Sequence, residues 1–126
     1  MHFSKISCVL IWSQNYQKLA DWYQKVFNFE ITWRVEHPDD TGIEFTLPGG
    51  NPWLWIGKHS QVKGKNKDPH RIMLNIDVDS IDETYQHLLK HKVKILAEPF
   101  KAPTFDKWFI SFYDLDGNIL QCIGPR

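Results

Sequence analysis

The sequence predicts an α+β fold: two βαβββ modules in tandem within a single domain, residues 1–126. Three observations predict it. Strand-like and helix-like periodicities follow one another in the same order in both halves. Each half has one amphipathic helix preceded by a small polar residue, Asn15 or Ser80. A polar stretch without periodicity, residues 58–70, separates module one (about 4–57) from module two (about 71–124).

Module one begins with ISCVLIW, Ile6 to Trp12, a short apolar β-rich run read as a strand. Asn15 then caps a helix whose apolar face is Tyr16, Leu19, Ala20, Tyr23, Val26 and Phe27. Asn28 suits a left-handed helix stop. Strands follow at Phe29–Val35, Ile43–Leu47 and Trp53–Gly57, with turns at His37–Gly42 and Pro48–Pro52. The connector KHSQVKGKNKDP holds four lysines and reads as a solvated linker.

Module two repeats the order. RIMLNIDV, Arg71 to Val78, is a strand. Ser80 and Glu83 form a capping box for a helix with Ile81, Tyr85, Leu88 and Leu89 on its apolar face. Lys90, His91 and Lys92 sit in its last turn, where cations suit the helix dipole. Strands follow at Val93–Ala97, Lys107–Tyr113 and Asn118–Gly124. The loop Glu98–Asp106, with two prolines and two phenylalanines, is a candidate lid. Superposing the two caps aligns Cys8 with Met73 and Tyr23 with Leu88.

Fifteen basic and fifteen acidic side chains cancel, so no electrostatic footprint for nucleic acid or an anionic membrane is expected. No apolar run is long enough to span a bilayer, and MHFSKISCVLIW lacks signal-peptide features, so a cytoplasmic chain is expected. Cys8 and Cys122 lie in strand-like stretches without metal-site spacing and are read as buried thiols. Aromatic residues make up 14% of the chain, a share that suits either a tryptophan-rich core or a ligand pocket.

With this element order on the page, the chain resembles the vicinal oxygen chelate superfamily, which joins glyoxalase I, bleomycin-resistance proteins and extradiol dioxygenases. The stretch Trp22-Tyr23-Gln24-Lys25-Val26-Phe27-Asn28-Phe29 is similar to that family's first helix. Asp114-Leu115-Asp116-Gly117-Asn118 looks like its penultimate turn, and Val78-Asp79-Ser80-Ile81-Asp82 is similar to its second helix start. The resemblance implies a cupped mixed sheet with the helices packed outside. It also implies four metal-ligand positions, which fall here on Cys8, Trp55, Met73 and Gln121. That set lacks the carboxylates and imidazoles a divalent ion needs, so no metal and no cofactor are expected.

Family register and strand alternation together place Cys8, Leu10 and Trp12 toward the cup, with Val9 and Ile11 under the helix. Trp53 and Trp55 face inward with Leu54 and Ile56 against the helix; Arg71, Met73, Asn75 and Asp77 also face inward, with Ile72, Leu74 and Ile76 behind, as do Ile119, Gln121 and Ile123. The expected ligand-binding residues are Trp12, Trp53, Trp55, Arg71, Met73, Asn75 and Gln121, unless the tryptophans close on one another. The leading expectation is a metal-free binder of an aromatic or drug-like small molecule, commonly a homodimer in this family. One alternative is a lyase, isomerase or dioxygenase with a relocated or absent metal, using Cys8, Arg71 and Asp77. Another is an interaction domain whose aromatics serve a dimer contact. No catalytic residue can be assigned. His87 and His91, one helical turn apart, are read as solvent-facing.

Overall fold

The computed structural model describes residues 1–126. It divides into two compact units, Met1–Gly64 and Lys65–Arg126, and the boundary falls inside the polar stretch. Each unit is one βαβββ module with its own four-stranded mixed sheet, so the α+β class and the tandem repeat hold.

In module one, β1 (Cys8–Trp12) leads into α1 (Tyr16–Phe27), then β2 (Glu30–His37), β3 (Asp40–Leu47) and β4 (Gly50–Gly57). The sheet order is β1-β4-β3-β2, with β1 and β4 parallel and the other pairs antiparallel. Leu19, Ala20, Tyr23 and Val26 of α1 are buried, as are Ile43 and Phe45 of β3 and Leu54 and Ile56 of β4. These strand positions recur every second residue, so one face of the sheet is sealed by the helix. Asn28 ends α1 in the left-handed region at φ 56°, and its N–H donates to the Gln24 carbonyl. Asn15 stands at the N-cap but its side chain makes no cap hydrogen bond; its own N–H donates to Ser13 Oγ instead, 3.0 Å.

Module two runs β5 (Leu74–Asp77), α2 (Ile81–Lys90), β6 (Ile95–Lys101), β7 (Trp108–Tyr113) and β8 (Ile119–Gly124). Its order, β5-β8-β7-β6 with β5 and β8 parallel, repeats that of module one. Ile81 and Leu88 of α2 are buried, as are Ile110, Phe112, Leu120 and Cys122 of the sheet. Ser80 accepts the Glu83 N–H at 3.2 Å, the first half of the expected box.

Several strand bounds differ from the sequence reading: β3 begins at Asp40 rather than Ile43 and β4 at Gly50 rather than Trp53, so both hairpin turns are tighter than expected, and two differences in module two matter more. The strand expected from Arg71 starts at Leu74, because residues 68–71 close a turn. Arg71 Nε pairs with Asp68 Oδ2 at 2.7 Å, its N–H reaches the Asp68 carbonyl, and Ile72 is 79% exposed rather than packed behind the sheet. The strand expected to stop at Ala97 continues to Lys101, through half of the candidate lid. Pro99 is tolerated there because β6 is an edge strand and its register with β7 shifts between Ala97 and Phe100. Both cysteines are free thiols. No helix is long and apolar enough to cross a membrane.

Candidate functional site

The face of the module-one sheet turned away from α1 collects unusual side chains. Cys8 stands opposite Trp53, Leu10 opposite Trp55 and Trp12 opposite Gly57. Across the next two ladders Trp55 is opposite Glu44, and Glu44 is opposite Trp33. Residues directly opposite on neighbouring strands share a face. Trp12, Trp33, Trp53 and Trp55 therefore stand on one side of one sheet.

Trp55 is 5% exposed, and two glycines explain how it fits. A Cβ on Gly42 would fall 2.5 Å from its Cζ2, and a Cβ on Gly57 would meet the indole nitrogen. The ring lies on bare backbone, where any side chain would exclude it. Trp12 sits beside the same glycine and packs edge-on against His59, with centroids 5.3 Å apart.

Glu44 is the polar centre of this face. Its Oε1 accepts the Thr32 hydroxyl at 2.7 Å, and Thr32 accepts the Thr46 hydroxyl at 3.2 Å. No lysine or arginine pairs with it. Burial and, second, the Glu44 carboxylate push the Cys8 thiol above its ordinary value. At neutral pH Cys8 is thus a protonated thiol, a poor nucleophile and a poor ligand.

Module two builds its corresponding face from different groups. Gln121 stands between Asn75 on β5 and Ser111 on β7. Its Nε2 donates to Ser111 Oγ at 2.9 Å. Phe109 neighbours it on β7, stacked on Phe100 and met edge-on by Phe105. Asn75 and Asp77 are exposed on β5, while Met73 and Arg71 lie ahead of that strand. Arg71 therefore does not share a strand face with Asp77.

The turn before β8 is explained by its own hydrogen bonds. Asp114 Oδ1 accepts the N–H groups of Asp116 and Asn118, its Oδ2 accepts Asn118 Nδ2, and Gly117 takes φ 77°. His87 is exposed on α2, as expected, with its ring 4.2 Å from that of half-buried His91. A polar depression of about 570 Å3 beside the start of α1, lined by Gln14, Asn15, Tyr16 and Lys58 among others, contains none of the expected ligand-binding residues.

The four positions implied for a metal now have definite surroundings. They are a protonated thiol, an indole lying on glycines, a thioether and an amide engaged by serine. This donor set does not fit a divalent ion. No cluster of three or more His, Cys, Asp or Glu side chains is placed to hold one either.

A family model described as the Glyoxalase/Bleomycin resistance protein/Dioxygenase superfamily matches residues 5–122. The chain belongs to this superfamily. Among solved structures, this superfamily member is similar to a glyoxylase/bleomycin resistance protein/dioxygenase domain from Frankia sp. EAN1pec. The TM-score is 0.80 at 20% identity, over 99% of this chain and all of that one (100%). It is also similar to a genomically encoded fosfomycin resistance protein from Listeria monocytogenes, with TM-score 0.75 and 16% identity over 99% and 96% of the two chains. A third similar structure is an antibiotic binding protein from Streptomyces sp. CB03234, with TM-score 0.78 and 17% identity over 100% and 99%. At these identities the likeness concerns the fold. No curated protein matches the sequence.

The sequence reading missed Glu44, Thr32 and Trp33. The alternation in IEFTL, with Ile43 and Phe45 on the helix side, already places Glu44 on the tryptophan side. Thr32 and Trp33 were hidden by a register shift between Ile31 and Trp33, which breaks the alternation of β2.

Proposed function

We propose that this superfamily member binds a small organic molecule containing an aromatic ring, on the tryptophan face of module one and without a metal. The supporting observation is the grouping of Trp12, Trp33, Trp53 and Trp55 on the sheet face that α1 does not seal. Indole rings give large contact areas at little entropic cost, and a sparse set of polar groups fixes ligand orientation. Module two, taken by itself, offers Asn75 and Gln121 on its own sheet as hydrogen-bonding groups for a polar ligand, with Met73 and Arg71 ahead of β5 as separate candidates. The printed names of two similar structures, one for fosfomycin resistance and one for antibiotic binding, agree with a small-molecule role. The raised Cys8 thiol makes catalysis through that residue the weaker reading.

A panel of planar aromatic compounds and antibiotics tests this by tryptophan quenching and thermal shift. At least one compound is expected to quench emission and raise the melting temperature, equally with and without a chelator. A panel that moves neither signal, or an effect abolished by the chelator, would sink the proposal.

A further inference from the structure

We propose that the ligand carries a positive charge and that Glu44 selects it. This rests on the reading of the tryptophan face as the binding surface. The charge distribution on that face is one-sided. Glu44 lies at its middle, Glu30 lies on the same side opposite Thr46, and Asp40 lies at the hairpin end opposite His37. The one basic residue in the strands of this sheet other than histidine, Arg34, is opposite Ile43 and so faces the helix side. Where β1 and β4 pair, this face receives Cys8, Leu10 and Trp12 from β1 and Trp53, Trp55 and Gly57 from β4, none of them charged. Arg71, in module two, is already paired with Asp68.

The carboxylate is also prepared for a partner. The Thr46 and Thr32 hydroxyls point in series toward Oε1 and hold it in place, while no protein donor is bonded to Oε2. A carboxylate on a strand position between two tryptophans of the neighbouring strands favours an organic ammonium or an aromatic cation, because ring faces and a carboxylate attract the same charge. An anion would meet repulsion from every formal charge on this face.

Three bicyclic probes of matched size test the idea by calorimetric titration: 1-methylquinolinium, 1-methylnaphthalene and 1-naphthoate. The wild-type chain is expected to bind the cation about tenfold more tightly than the neutral probe, and the anion most weakly. Glu44→Gln keeps an oxygen for the Thr32 hydroxyl. It is expected to bring the cation to within about twofold of the neutral probe measured on the same variant. Raising the salt concentration should weaken the cation alone in the wild type, a readout independent of any variant's folding. Equal binding of cation and neutral probe, an unchanged ratio in E44Q, or salt-independent cation binding would overturn charge selection and leave aromatic binding standing. Failure of all three probes to bind would overturn both.

Discussion

The two modules share a ladder but not a surface. Trp55 of β4 lies between Leu10 and Glu44, and Gln121 of β8 lies between Asn75 and Ser111 in the same pairing pattern. On the helix side the counterparts are nearly identical: Ile43 and Ile110, Phe45 and Phe112, Leu54 and Leu120. On the other side nothing matches. Where module one sets a large Trp55 over Gly42 and Gly57, module two sets a smaller Gln121 beside Phe109 and Ile123. Bulk has moved from the centre to the flanks. The helix-side residues carry the fold, since they must fill a closed space at near-crystalline density. The opposite face is free to vary provided its volumes compensate.

If the helix sides are equivalent, Phe45→Ala and Phe112→Ala should cost alike, about 3–5 kcal/mol each by urea denaturation. Both phenylalanines are fully buried. A cost confined to one variant would break the equivalence.

The opposite faces should respond unequally. Gly42→Ala drives a Cβ into the Trp55 indole and is expected to cost about 1–3 kcal/mol and shift tryptophan emission. Gln121→Ala removes a hydrogen bond to Ser111 and should cost only about 1 kcal/mol, leaving emission unchanged. Equal costs and equal spectra would mean that the glycine floor is not specific to Trp55.

The one chemical mismatch on the helix side is Cys122, opposite Ile110 where module one has Ile56 opposite Ile43. Burial pushes the Cys122 thiol up to about 12. Above roughly pH 9 the unfolded chain releases this proton while the folded chain keeps it. Stability is therefore lost as pH rises through that window, by at most about 1.4 kcal/mol per pH unit. Cys122→Val should show a shallower alkaline decline than the wild type in parallel denaturant titrations. Identical declines would place the loss elsewhere.

Much of the fold was legible because it depends on local rules. Alternation named Val9, Ile11, Leu54, Ile56, Ile72, Leu74 and Ile76 as the helix-side set, of which Ile72 is exposed instead, and the left-handed stop at Asn28 and the Ser80 cap are short-range chemistry. The start of β5 was not legible. RIMLNIDV alternates well, and only the Arg71–Asp68 pair shows that its first residues belong to a turn. The extension of β6 through Pro99 depends on an edge position that no local pattern reveals. At the candidate site the tryptophans of β1 and β4 followed from period two, whereas Trp33 and Thr32 lay behind an irregularity in β2. The glycines under Trp55 read as turn or strand-end residues until the ring is seen resting on them.

Because Gly42 and Gly57 contribute no side chains, the relief of the module-one surface at that point is set by Trp55 and the neighbouring Trp12. Exchanging Trp55 would resculpt the floor down to the peptide plane while leaving the hydrogen-bonded lattice below intact. The surface of that face and the backbone ladder beneath it therefore answer to different residues.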